Sequence, residues 1–239
     1  MNAPLQVDVW SDIVCPFCTL GKRRLEAAAR EEGLSLNVVW HSFELDPNAP
    51  ASHAQPLVDL IATKYGMGRE QAQQAQQQIA TQAAELGVVF NWQQARPGNT
   101  FDAHRLAHFA ATRGLGDAAQ EQLMRAYFTE GQSVGDRATL QAIGEAIGLP
   151  AAEVSAVLAS DRYAAEVRRD EQIARQDLQV SGVPFFVIDG RLAISGAQPI
   201  ELFRRALRQA QDSRSPLPPL GQDGAACTDG TCIVPHPPT

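Results

Sequence analysis

Hydrophobic and polar residues alternate in two short segments near the start of the chain, residues 6–10 and 34–40. Alternation with a period of two predicts β-strands that bury one face. Between these segments, a helical pattern begins at Cys15-Pro16 and continues to about Glu32, where Gly33 ends it. Proline suits the first turn of a helix, and glycine suits the position after its end. The opening of the chain therefore predicts a strand, a helix and a second strand.

The middle of the chain has a different pattern. From about residue 54 to residue 180, alanine and leucine recur at spacings of three and four, in segments separated by glycine and proline. This spacing predicts several α-helices. A glutamine-rich run at residues 71–82 keeps an apolar helical stripe, so we interpret it as a surface helix rather than a disordered tract. The stripe consists of Ala72, Ala75, Ile79, Ala83 and Leu86.

Strand character returns near the end of the chain. Two apolar runs, residues 185–188 and 192–194, flank Asp189-Gly190. This arrangement is a strong signal for a tight β-hairpin. Pro199 stands where a first helical turn would begin, and we expect the last helix to continue to about Gln211.

These elements predict a split α/β domain. Its two parts are residues 1–46 and 181–212, and a helical insertion at residues 47–180 separates them. The remaining residues, 213–239, are rich in proline and glycine at first and have almost no apolar pattern. We interpret them as a tail.

The composition narrows the classes of protein to consider. Hydrophobic residues make up 44% of the 239 residues, which is enough for a sizeable core. Twenty basic and twenty-seven acidic residues give a net charge of −7 without a basic patch, so we expect no nucleic-acid partner. No apolar stretch approaches the ~20 residues of a membrane span, so we expect no membrane association. The first residues lack the pattern of a secretory signal, which favours a cytoplasmic location.

The four cysteines fall into two close pairs, Cys15 with Cys18 and Cys227 with Cys232. Four cysteines in a chain of this length do not make a disulfide scaffold. In a reducing cytosol, paired cysteines indicate redox chemistry or metal binding instead.

The first pair, in Cys15-Pro16-Phe17-Cys18, lies at the predicted junction of a strand and a helix. The unsatisfied N–H groups and the dipole at a helix start favour a thiolate over a thiol. Because Cys18 would lie within the helix and be more shielded, we expect Cys15 to attack and Cys18 to resolve. The alternatives are a pair of buried core thiols or half of a zinc site.

The chain resembles the DsbA-like thioredoxin-fold proteins, most closely the FrnE-like branch. The resemblance covers residues 5 to about 211 and is specific as an ordered set, although each piece alone is weak. It depends on the segments Ser11-Asp12-Ile13-Val14-Cys15-Pro16-Phe17-Cys18, Asn99-Thr100 with Ala103-His104-Arg105-Leu106, Gly182-Val183-Pro184-Phe185-Phe186-Val187, and Ser195-Gly196-Ala197-Gln198-Pro199.

The resemblance implies a thioredoxin fold with an inserted all-helical domain and thiol–disulfide exchange at Cys15 and Cys18. It also implies a cis peptide bond at Val183-Pro184 beside the sulfurs, since an X–Pro bond is where cis is least costly. Such a bond would offer the backbone of Val183 to a disulfide-linked substrate in strand-like pairing. We therefore expect Val183, Pro184 and Phe17 to bind substrate.

The same superfamily contains kappa-type glutathione transferases and 2-hydroxychromene-2-carboxylate isomerases. In these proteins a serine typically occupies the first cysteine position and the second cysteine is absent, whereas this chain has both. The intact pair favours a redox enzyme with no cofactor, although glutathione can still serve as its redox partner. The dipeptide between the cysteines is Pro-Phe rather than Pro-His, so no imidazolium adds to thiolate stabilisation and the oxidising strength is open.

Three other residues are weaker candidates. Asp12 can tune Cys15 electrostatically or only cap the turn. His104, on a helix capped by Asn99 or Thr100, can be catalytic or a half-buried helix residue. His104 and His108 are four apart, but the glutamate of the metalloprotease motif is absent, so we predict no metal site there.

Cys227 and Cys232 enclose a turn-forming Asp-Gly, so their sulfurs can meet. We interpret them as an accessory redox pair, with an incidental tail or a four-cysteine zinc site as the alternatives. The sequence thus predicts a thiol–disulfide oxidoreductase that acts on disulfide-containing or thiol proteins. A glutathione-dependent transferase or isomerase is the first alternative, and a zinc-binding or chaperone-like protein is the second.

Overall fold

A four-stranded sheet forms the centre of the structure, a computed structural model that describes residues 3–214. The strands are β1 (Leu5–Ser11), β2 (Leu36–Ser42), β3 (Phe185–Ile188) and β4 (Leu192–Ser195), in the order β2-β1-β3-β4. Strand β2 is parallel to β1, whereas β1 with β3 and β3 with β4 are antiparallel. The predicted mixed α/β architecture is confirmed.

The first strand, helix and second strand form where the sequence pattern predicts them, with one shift. Helix α1 (Pro16–Glu31) begins directly after Cys15, and Gly33 follows its end with a positive φ of 63°. Strand β2 lies about two residues later than predicted. Its register explains the shift, because Leu5 pairs with Leu36, while the N–H of Leu34 still donates to the carbonyl of Ala29 in α1.

The predicted hairpin between β3 and β4 is confirmed. Asp189 and Gly190 have φ values of 53° and 65°, the left-handed conformation that a type I′ turn requires at both central residues, and the Arg191 N–H donates to the Ile188 carbonyl at 3.0 Å. Three residues, 189–191, separate the paired Ile188 and Leu192. The last helix, α9 (Ile200–Asp212), begins one residue later than predicted. Pro199 is its N-cap in an extended conformation rather than its first helical residue.

The helices between β2 and β3 pack beside the sheet. They are α2 (Leu57–Tyr65), α3 (Arg69–Glu85), α4 (Phe101–Ala111), α5 (Gly116–Phe128), α6 (Arg137–Ala146), α7 (Ala151–Leu158) and α8 (Ala164–Gln172), followed by a π-helical turn (Ile173–Asp177). The glutamine-rich run lies in α3, as predicted, and buries Ala72, Gln76 and Ala83. Within residues 3–214, no helix is both long enough and apolar enough to cross a bilayer.

The core consists of several apolar clusters, and the largest joins the helices to the start of α1. In it, Ile13, Cys18 and Leu20 pack with Leu106 of α4 and Leu123 of α5. A second cluster lies between the sheet, α1 and α9. The helices therefore form one wall around the first cysteine pair. The division into a split domain and a helical insertion stays a prediction.

A polar network ties the sheet to the helices on the side of β2. Each ring nitrogen of His41 lies within hydrogen-bond distance of a carboxylate oxygen. Nε2 is 2.9 Å from Asp8 Oδ1, and Nδ1 is 3.0 Å from Asp170 Oδ1 in α8. Its ring stacks on Trp10 with centroids 4.4 Å apart. Burial disfavours the charged imidazole, but hydrogen bonds to Asp170 and Asp8 outweigh it and raise the pKa of His41.

This network predicts a pH dependence of folding. A raised folded-state pKa means that His41 contributes stability fully below its unfolded value of about 6.5 and loses that contribution as pH rises through the folded value. We therefore expect His41→Gln to reduce the free energy of unfolding most below pH 6 and least at pH 9. Urea unfolding of both proteins across that range measures the difference. A difference that stays constant with pH would contradict the prediction.

Candidate active site

Both cysteines of the first pair lie at the start of α1 and are buried. Cys15 is 4% exposed and Cys18 1% exposed, and the sulfurs are not bonded to each other. Cys15 is the N-cap residue and Pro16 the first helical residue, so the Cys15 side chain lies at the positive end of the helix. The N–H of Cys18 donates to the carbonyl of Cys15 at 3.0 Å, which closes the first turn.

The two thiols have different surroundings. Burial raises the pKa of the Cys18 thiol well above its ordinary value, and the hydrogen bond and charge of Cys15 raise it further. The side chain of Ser11, and to a smaller degree the backbone of Asp12, lower the pKa of Cys18 in opposition. Cys18 therefore holds its proton more firmly than an ordinary thiol does.

The loop before β3 lies against the start of α1, beside Cys15. Cys15 Sγ is 3.6 Å from the carbonyl oxygen of Val183, to which it donates. The Val183-Pro184 peptide bond is cis, as the resemblance implied. The structure thus brings Cys15, Cys18, Val183 and Pro184 together. Cys227 and Cys232 lie outside the described residues.

An apolar cleft of about 780 Å³ opens beside Cys15. One wall is the turn from Asp12 to Phe17, and the others come from the segment after β2 and from α2 and α3. Phe17 is 45% exposed at this cleft, and Leu45 and Tyr65, which also line it, are exposed too. Large exposed apolar side chains around a concave surface mark a binding site.

Sequence reasoning missed the α2–α3 wall of this cleft. The sequence predicted helical segments here without saying what they face, and Val58 is the only buried residue of α2. The apolar side chains of this wall that line the cleft are Leu57, Leu60, Ile61, Tyr65, Met67 and Ile79. The sequence did contain one signal of this wall, because α2 has more apolar residues than the single face of a surface helix can bury.

The structure brings His104 beside Asp12, a contact that the sequence did not indicate. The carbonyl of Asp12 accepts from the Cys15 N–H at 3.1 Å, and its Oδ2 accepts from the Leu45 N–H at 2.8 Å. His104 Nε2 is 3.4 Å from Asp12 Oδ1. Asp12 therefore does more than cap its own turn, and His104 is buried rather than half-buried.

His108 has different partners from His104. Its Nε2 lies 3.1 Å from Ser42 Oγ and 3.1 Å from Asp170 Oδ2. Across residues 3–214, no group of three or more histidine, cysteine, aspartate or glutamate side chains is arranged to hold a metal ion. Asn99 Oδ1 accepts from the N–H of Phe101 and thereby caps α4, whereas the Thr100 side chain does not.

Several known proteins are similar to this chain in sequence and in fold. The profile of the DSBA-like thioredoxin domain matches residues 6–208. A probable DsbA oxidoreductase from Streptomyces coelicolor is 42% identical, with a TM-score of 0.82 over 97% of this chain and 100% of the other. The uncharacterized protein YwbO of Bacillus subtilis is 30% identical over 88% of this chain and 99% of its own length.

A more distant structure has the same fold. The cytosolic disulfide reductase DsbM from Pseudomonas aeruginosa, solved with glutathione, is 20% identical, with a TM-score of 0.60. The match covers 87% of this chain and 100% of that one.

Proposed function

The chain belongs to the DSBA-like thioredoxin domain family, and we propose that it is a thiol–disulfide oxidoreductase whose reactive pair is Cys15 and Cys18. One observation carries the proposal. Cys15 caps α1 within 3.6 Å of the Val183 carbonyl, and Cys18 lies buried one turn behind it. Cys15 lines the cleft and Cys18 does not, so the arrangement supplies one nucleophile at the cleft and one more deeply placed thiol that can resolve its product.

The reaction balances with these two thiols alone. The Cys15 thiolate attacks one sulfur of a substrate disulfide, so that a Cys15–substrate bond forms as the substrate S–S bond breaks. The departing sulfur takes up one proton. Cys18 then loses its proton and attacks the Cys15 sulfur, so that the Cys15–Cys18 bond forms as the Cys15–substrate bond breaks. The second substrate sulfur leaves and takes up a proton. The substrate gains two electrons and the cysteine pair is oxidised to a disulfide.

The apolar lining of the cleft favours a polypeptide as the substrate. Its apolar wall can receive apolar side chains beside a disulfide, with Phe17 at its edge. The backbone of Val183 can pair with an extended segment. We propose glutathione as the thiol that returns the oxidised pair to its reduced form, and a reducing cytosolic compartment. The name of the cytosolic reductase DsbM, solved with glutathione, supports both proposals.

Two assays separate this function from the glutathione-transferase or isomerase alternative. We expect the purified protein to accelerate reduction of insulin by glutathione at least tenfold over the uncatalysed rate, because Cys15 is held as a nucleophile. Conjugation of glutathione to 1-chloro-2,4-dinitrobenzene should stay at background. Conjugation without disulfide exchange would contradict the proposal and favour the transferase.

We also propose that Cys227 and Cys232 exchange with the first pair. A tethered dithiol acts at an effective concentration of order millimolar when its linker spans the two sites. For a Cys227→Ser/Cys232→Ser double variant, we expect unchanged single-turnover reaction at Cys15 and slower multiple turnover with glutathione. The melting temperature should change little. A lower melting temperature with unchanged turnover would instead indicate a structural clamp.

A further inference from the structure

The cleft beside Cys15 combines an apolar wall with a polar floor. The apolar side chains from α2 and α3 that form its wall are half-buried or exposed. The floor consists of the lining residues that are fully buried, and three of them carry neutral polar side chains. These are Gln76 of α3, Thr100 at the start of α4 and Tyr127 of α5, which are 5%, 3% and 1% exposed. The other fully buried residues of the lining are Asp12, Cys15 and Gly98. This order is the reverse of a protein core, where the most buried residues are apolar.

The neutral polar groups of the floor have no partners within the part of the chain that the structure describes. The Gln76 amide, the Thr100 hydroxyl and the Tyr127 hydroxyl form no hydrogen bond there, and each keeps surface that is accessible from the cleft. The Thr100 hydroxyl is spare because Asn99 Oδ1 caps α4 instead, accepting from the Phe101 N–H at 2.9 Å. All three groups are therefore available to a molecule that enters the cleft.

The unpaired groups of the floor indicate a ligand that carries polar atoms of its own. Buried polar groups are rarely left without a partner, because the loss of their hydrogen bonds costs free energy. A glutamine amide contains both a donor and an acceptor, and a hydroxyl acts as either. The complementary ligand group therefore also donates and accepts, and it stands at the end of an apolar body that the wall can cover.

The charges near the floor favour a neutral group. Burial and the charge of the Asp12 carboxylate raise the pKa of Tyr127, so its hydroxyl stays protonated. Asp12 would repel a second anion at the floor. A lysine or arginine head group donates hydrogen bonds but cannot accept one. The other charged residues of the lining, Asp46 and Lys64, are exposed at the rim of the cleft.

We propose that this floor binds the phenol of a tyrosine side chain close to the substrate disulfide. The proposal rests on the oxidoreductase function proposed above and names a class of substrate for it. A phenol hydroxyl both donates and accepts, and the ring offers an apolar body to the cleft wall. Cys15 belongs to the same floor, so a tyrosine bound there holds the neighbouring disulfide near the attacking sulfur. Phenylalanine has the same ring but leaves the floor unpaired.

The experiment compares peptide disulfides that differ in one side chain. Each peptide is joined through its cysteine to a fluorescent thiol and carries tyrosine, phenylalanine, glutamine or lysine at one of the four positions nearest that cysteine. Stopped-flow fluorescence measures the second-order rate constant of thiol release by the reduced protein, and the same peptides with glutathione alone correct for intrinsic reactivity. We expect tyrosine to exceed phenylalanine by at least about tenfold at the best position, because a site built to bind a hydroxyl rejects the analogue that lacks it.

Two variants of nearly unchanged shape test whether the floor causes the preference. Tyr127→Phe and Thr100→Val each remove one hydroxyl, and the Thr100 side chain does not cap α4. Each should reduce the tyrosine preference to less than about threefold by slowing the tyrosine peptide. Damage to the fold would instead slow both peptides by the same factor and leave their ratio unchanged. Tyr163→Phe is the matched control, because Tyr163 packs near Phe109, with centroids 6.0 Å apart, and does not line the cleft. It should keep the full preference.

The proposal is overturned if tyrosine and phenylalanine peptides react equally at all four positions, or if glutamine or lysine peptides react faster than tyrosine peptides. This comparison uses the wild-type protein, so it decides the matter even where a variant does not fold. The proposal is equally overturned if both floor variants keep the tenfold preference, or if Tyr163→Phe loses it as they do. Failure of the proposed function looks different, because the reduced wild-type protein would then release no thiol from any peptide.

Discussion

Replacement of Cys15 by serine should reduce disulfide exchange by at least about tenfold, to the rate without protein. A hydroxyl at this position lacks the thiolate that attacks a disulfide, and Cys18 cannot substitute for it. Cys18 is 1% exposed and lies behind Cys15, and its raised pKa keeps it protonated. Insulin reduction and glutathione-disulfide reduction both measure the loss.

Replacement of Cys18 by serine is the matched comparison, and its expected result is different. The Cys15 nucleophile remains, so the first half-reaction should proceed at close to the wild-type rate. The mixed disulfide then has no resolving thiol within the pair and should accumulate. Non-reducing electrophoresis and intact-mass spectrometry should detect one substrate thiol bound per protein at Cys15.

The opposite assignment has a clear signature. If Cys15→Ser retained exchange and formed mixed disulfides, Cys18 would be the attacking residue. Equal loss of both half-reactions in Cys18→Ser would indicate instead that Cys18 is needed to hold the start of α1, through its packing in the helical core cluster. Circular dichroism of both variants distinguishes that case.

Local patterns were sufficient to predict the sheet and the first cysteine pair. The alternation of β1, the Pro16 start of α1 and the Asp189-Gly190 turn each depend on neighbours in sequence. Cys15 and Cys18 are separated by a fixed short spacing, so their approach at a helix start follows from the sequence alone. Even the error in β2 was small, because its register depends on pairing with β1.

The walls of the site depend on tertiary packing, which no local pattern records. His104 meets Asp12 only because α4 packs behind the turn before α1. The residues of α2 face the cleft rather than a core, and their excess of apolar residues does not say which other part of the chain they face. Sequence reasoning therefore identified the cysteine pair that we propose to react, and it missed the cleft and the contact between Asp12 and His104.

Gly21 is another residue whose packing no local sequence pattern predicts, and its substitution should have a large effect on activity. In the sequence it is an ordinary glycine in a helix. In the structure, a Cβ at this position would lie 2.9 Å from Cζ of Phe186 and 3.0 Å from Cγ of Pro184. Phe186 cannot easily yield, since it is fully buried and packs edge-to-face on Phe203 with centroids 5.0 Å apart.

We therefore expect Gly21→Ala to displace the Pro184 loop. The Val183 carbonyl, 3.6 Å from Cys15 Sγ, should move with it, and displacements of about 1 Å at a reactive site can lower rates by up to ~10²-fold. Exchange activity should fall about tenfold. Overpacking costs roughly 1–3 kcal/mol and the better helix propensity of alanine offsets about 1 kcal/mol, so the free energy of unfolding should fall by up to about 2 kcal/mol.

Gly68→Ala is the control, because a Cβ there meets open space at the start of α3. It should keep exchange activity within about twofold of wild type, since it leaves α1 and β3 in place. Activity and urea unfolding measured on the two variants test whether the effect of Gly21→Ala comes from the Pro184 contact. If Gly21→Ala lost stability but kept full activity, the distance between Cys15 and the Val183 backbone would not control exchange. Lost activity with unchanged stability would instead show that the loop moves without strain, and that position alone sets the rate.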